Sequence, residues 1–76
     1  MWRLGTVTRI AGGVLVVRAD GDRTPDLGTE TVDDQLTPVG SVVDVFGPVE
    51  RPFFALSPVG DRPLAELLGD PIYVRE

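Results

Sequence analysis

The side chains able to do chemistry in this chain are carboxylates, arginines, two serines and five aromatics, and those it lacks narrow the options most. Twelve Asp and Glu stand against seven Arg, for a net charge of −5, and there is no Lys, His, Cys or Asn. That removes the general base that titrates near neutral pH, the thiolate nucleophile and the Schiff-base amine. Without Cys there is neither a disulfide framework nor a thiolate metal site. Ser41 and Ser57 have nothing to activate them. Asp44 and Glu50 could work as an acid and a base, but a 76-residue chain lacks the volume for a drug-sized pocket beside its core. Asp33 and Asp34 are sequence neighbours, so on a strand they point to opposite faces and form no catalytic pair. Asp20-Gly21-Asp22 lacks the alternate ligands and final Glu of an EF-hand loop and reads as a turn. Gly12-Gly13 lies between two strand-like runs instead of opening a helix, which excludes a phosphate loop. No enzymatic activity, cofactor or metal is expected.

What remains is surface recognition, and its richest stretch is Val39 to Leu56, VGSVVDVFGPVERPFFAL. Two runs of β-branched and aromatic residues are separated by Gly47-Pro48 and a short charged link at Glu50-Arg51. Pro48 holds φ near −65°, and Gly47 can take the positive φ of a sharp reversal. The result is a rigid corner displaying Phe46, Val49 and Phe53. Alternation from Pro52 puts Phe53, Ala55 and Ser57 on one face, with Phe54 and Leu56 on the other, core-facing side. Phe46, Gly47, Pro48, Val49, Pro52 and Phe53 are therefore the candidate partner-binding residues, because a contiguous exposed apolar patch marks a docking surface.

The elements that must hold this corner are short strands. Leu4–Ile10 and Val14–Arg18 form a hairpin around Ala11-Gly12-Gly13, with Val7 inward. Arg9 and Arg18 read as part of its solvated face. Residues 19–27 are a polar loop, and Gly28–Asp33 is a short strand centred on Val32. Leu64–Leu68 is the one helical patch, with Pro63 before it and Gly69 at its C-terminal cap; Ile72–Val74 is a last strand, and Trp2 is placed at a frayable terminus. Five or six strands with one small helix point to a small β-barrel, all-β and closed or nearly so, since closure removes unpaired edges.

Composition bounds the setting. One domain of this size needs nearly all its apolar residues for one core. No apolar run approaches the roughly 20 residues of a membrane span, and Met1-Trp2-Arg3 leads directly into mixed polar sequence, so a cytoplasmic protein is expected. Arg in place of every Lys, with excess carboxylate, fits a salt-loving organism; a GC-rich genome would give the same bias. An acidic surface should gain stability from salt, whose screening length is about 3 Å at 1 M. Net −5 also argues against binding a nucleic-acid backbone unaided.

The central stretch resembles the signature of the Gar/Naf family, the small glycine-arginine-rich-protein subunit of box H/ACA ribonucleoproteins: an Asp, an aromatic or aliphatic residue, Gly-Pro-Val, two variable residues, then Pro and an aromatic. Here it stands as Asp44-Val45-Phe46-Gly47-Pro48-Val49 followed by Pro52-Phe53. Leu4–Val7, Gly13–Arg18, Pro25–Gly28 with Val32-Asp33, and Gly69 with Ile72–Val74 extend the likeness over nearly the whole of residues 1–76. The resemblance implies a six-stranded barrel similar to a translation-factor domain. It implies an accessory role in rRNA pseudouridylation: docking on the dyskerin-type pseudouridine synthase, with guide RNA and substrate rRNA reached only through that complex. The family usually has Tyr where this chain has Phe53, and the glycine-arginine or basic tails of some relatives are absent. The alternatives are a stand-alone RNA-binding barrel and a ribosome-maturation barrel.

Overall fold

The computed structural model describes residues 1–75. Six antiparallel strands close into a barrel: β1 (Trp2–Ala11), β2 (Val14–Ala19), β3 (Glu30–Val32), β4 (Pro38–Phe46), β5 (Phe53–Pro58) and β6 (Pro71–Val74). Around the barrel they run β1, β2, β5, β4, β3, β6, and β6 returns to β1. The β1–β2 hairpin turns through Gly12 and Gly13 at φ of 58° and 81°, values that let a two-residue reversal match the strand twist. Every strand thus has two partners, which leaves no open edge to recruit another chain.

The core is aliphatic around one aromatic. Leu4, Val7, Leu15, Val17, Val39, Val42, Leu56, Ile72 and Val74 pack around Phe54, which is fully buried. Burying side chains of this size stabilises by about 1.5–3 kcal/mol each. Such a barrel is held by its interior, and what lies on its outer wall is available for other uses.

Two local features differ from the sequence expectation and a third adds to it. β1 begins at Trp2, whose backbone pairs with Val74 and whose ring packs against the core under the Arg23 guanidinium at 4.0 Å, so this end of the chain is anchored. The helical patch is a single 3-10 turn, Leu64–Leu67, between Pro63 and Gly69. Gly69 N–H donates to the Val7 carbonyl at 2.9 Å and Val7 N–H to that of Asp70 at 3.0 Å, so the chain is tied back to β1 before another turn can form. Third, Asp33 and Asp34 have unequal roles. Asp33 is buried and organises the β3–β4 connection; Asp34 is exposed.

In that connection one Asp33 carboxylate oxygen accepts from the backbone N–H of Gln35 (2.8 Å) and Thr37 (3.0 Å). The other pairs with Arg62 Nη1 at 2.9 Å. Burial alone would raise this carboxyl, but the Thr37 N–H, the Arg62 guanidinium and the Gln35 N–H outweigh it and hold the group below the usual carboxylate range. Among the described residues no helix is long and apolar enough to cross a membrane.

Candidate protein interface

Whether Phe46 faces the core or solvent depends on one extra residue in β4. The β4–β5 register pairs Val42 with Leu56, Asp44 with Ala55, Val45 with Phe54 and Phe46 with Phe53, and it shifts between Val42 and Asp44. Val42 points inward, so strict alternation would carry Asp44 and Phe46 inward too. The bulge at Val43 resets the phase. Asp44 and Phe46 then face outward while Val45 packs against the core. Val43 itself is left half-exposed, at 49%.

Beyond Phe46 the chain reverses in a turn closed by Arg51 N–H donating to the Pro48 carbonyl at 3.3 Å, with Val49 and Glu50 at its tip. Val49 is 85% exposed and Phe46 43%. The return leg is fastened to β2. Arg51 Nε donates to the Ala19 carbonyl at 2.9 Å, and Ala19 N–H donates to that of Pro52 at 2.9 Å. Pro52 is therefore buried: of the six residues expected to meet a partner, it supports the corner from below. Gly47 has φ of +87°, and a Cβ there would sit 2.9 Å from Phe53 Cδ2, so the glycine serves both the reversal and the ring packed over it.

Two rings and a guanidinium form a row across three strands. Phe46 and Phe53 stack with centroids 5.5 Å apart and planes 14° from parallel. On the other flank of Phe53, its cross-strand partner Arg18 sets its guanidinium carbon 4.9 Å from the ring centroid. Phe53 is half-buried, as its place between two neighbours requires. The accessible set is thus Phe46, Pro48 and Val49, with Phe53 behind them and Val43 exposed further back along β4. Sequence reasoning missed Val43, whose signal was the Val42-Val43 doublet in an otherwise alternating strand. It assigned Arg18 to solvent, because nothing in β2 announces a ring on β5. Ser41 faces Ser57 across the ladder, and with no His or Lys in the chain neither is activated. Chemically this is an apolar, backbone-braced surface whose rings are already stacked.

A family profile described as the Gar1/Naf1 RNA binding region matches residues 1–76, spanning all six strands and the corner. The chain belongs to the Gar1/Naf1 family. No curated protein matches it. In this Gar1/Naf1 domain the Gly47-Pro48-Val49 motif has a structural reason. It makes the reversal, carries the most exposed apolar side chain among the described residues, and leaves room for Phe53.

Proposed function

We propose that this Gar1/Naf1 domain is a cytoplasmic, non-catalytic accessory subunit of an H/ACA pseudouridine synthase complex. It docks on the dyskerin-type synthase through Phe46, Pro48, Val49 and Phe53, and so assists loading of substrate rRNA and release of the modified product. Guide RNA is met through the complex. The observation that carries this reading is the braced apolar corner, exposed on a barrel whose core is complete without it. Prestacked rings on a proline-bounded turn lose little conformational freedom when a partner covers them, which favours tight docking.

A second reading, direct RNA binding by the isolated chain, is favoured by the family's own description. The net charge of −5 opposes it, because phosphate binding relies on counterion release to basic residues. Titrating the chain against synthase and against guide RNA separates the two. Phe53→Ala should weaken synthase association by about thirtyfold, roughly 2 kcal/mol, while the barrel stays folded. Its neighbour Phe54→Ala should instead open a core cavity and destabilise by about 3–5 kcal/mol, a large share of a small domain's stability. Wild-type binding or unfolding by Phe53→Ala would overturn the docking assignment. Micromolar RNA binding at physiological salt would promote the second reading.

A further inference from the structure

Two buried side-chain N–H groups among the described residues have no acceptor, Trp2 Nε1 and Arg18 Nε, and the second lies on the proposed docking wall. Three other arginines have partners within the barrel. Arg3 pairs with Asp20 at 2.6 Å, Arg51 donates to Ala19 and Arg62 to Asp33. Arg18 sits half-buried over Phe53 with its charge unpaired by any carboxylate among the described residues. A partly desolvated cation without an acceptor is unfavourable in the free protein and is relieved when a partner supplies one.

The strand register places this group. Phe46 is opposite Phe53, Phe53 opposite Arg18 and Arg18 opposite Thr6, so the outer row runs from aromatic to cationic at one level of the barrel. We infer that Arg18 is the polar anchor of the docking surface, donating to a carboxylate of the docked protein while apolar side chains of that partner cover Phe46, Val49 and Val43. This rests on the docking reading above and adds the partner's charge to it. A protein carboxylate fits better than an RNA phosphate. Phe53 is flanked by Phe46 on one side and Arg18 on the other, so it offers no open face for a base to stack on. The rest of the chain is acidic, which repels a phosphate backbone.

The test titrates the full chain against the synthase at low and high salt. Arg18→Met keeps the apolar stem and removes the donors; it should weaken binding by about thirtyfold and flatten its salt dependence, with the thermal melt unchanged or raised. Arg18→Lys keeps charge without the planar fork and should fall between. If Arg18→Met binds as wild type while Phe53→Ala is weakened, the anchor is disproved and the docking reading stands. If the unaltered chain fails to bind the synthase, both fail. Loss of guide-RNA binding or of self-association in place of synthase binding would reassign Arg18 to those contacts and overturn the inference. So would unfolding of both variants, which would assign it to the barrel's own packing.

Discussion

The two connections at opposite ends of β4 use their residues in contrary ways. At the β3–β4 end, Asp33 satisfies two backbone N–H groups and Arg62, and the polar groups of the turn are closed among themselves. At the β4–β5 end the backbone is equally well tied, through Arg51, Ala19 and Pro52, yet the side chains are left open. Phe46 and Val49 are exposed, and Arg18 beside them lacks an acceptor. The first arrangement serves stability. The second ties the backbone and leaves its apolar groups exposed and its cationic group without an acceptor within the chain, as the proposed docking requires. A site and a support are thus distinguished by whether their groups are satisfied within the chain, more than by how ordered they are.

Three substitutions test this contrast. The largest stability effect is expected from Asp33→Ala, which strips three hydrogen bonds to a buried carboxylate and should cost about 2–3 kcal/mol by urea unfolding. Synthase affinity should be untouched. Its pH dependence follows from the lowered carboxyl. The folded-state value lies below the unfolded one, about 3.9, so the stabilisation is complete above that pH and is lost as pH falls through the folded value. Asp33→Ala should therefore flatten the acid limb of the stability curve, and an unchanged limb would remove Asp33 from this role.

Gly47→Ala acts on the other connection. Its positive φ costs an alanine about 1–2 kcal/mol, and the added methyl must displace the Phe53 ring. Both the melting temperature and the affinity should drop, whereas Asp33→Ala moves only the first. The smallest effect is at Leu36, half-exposed with φ of +62° in the β3–β4 turn. Leu36→Gly relieves that conformation at some cost in chain entropy, and a net gain of about 0.5 kcal/mol, roughly 2–4 °C, is expected. A loss of stability would mean that Leu36 makes a contact worth more than its backbone strain.

Much of the corner was legible before folding, because its determinants are local. Gly47-Pro48 marks the reversal, and period-two alternation separates Phe53 from Phe54 correctly. The Gly12-Gly13 hairpin and the closed barrel follow from the same rules of strand length and turn chemistry. Pro52 was placed among the exposed residues, since a motif read along the chain does not show that Ala19 of another strand binds its carbonyl.

What the amino-acid order determined by itself is therefore what nearest neighbours decide: where strands run, where they turn and which of two adjacent side chains goes inward. Tertiary structure alone decided the rest. Closing the barrel set the register that leaves Val43 as the extra residue in β4, and that bulge turned Phe46 outward. Closure also brought Arg62 to Asp33 and Arg18 over Phe53 from distant parts of the chain. The physical reason is one of range. Alternation and turn preferences are carried by the backbone of a few residues, whereas burial of a charge and the facing of two rings depend on which strands become neighbours.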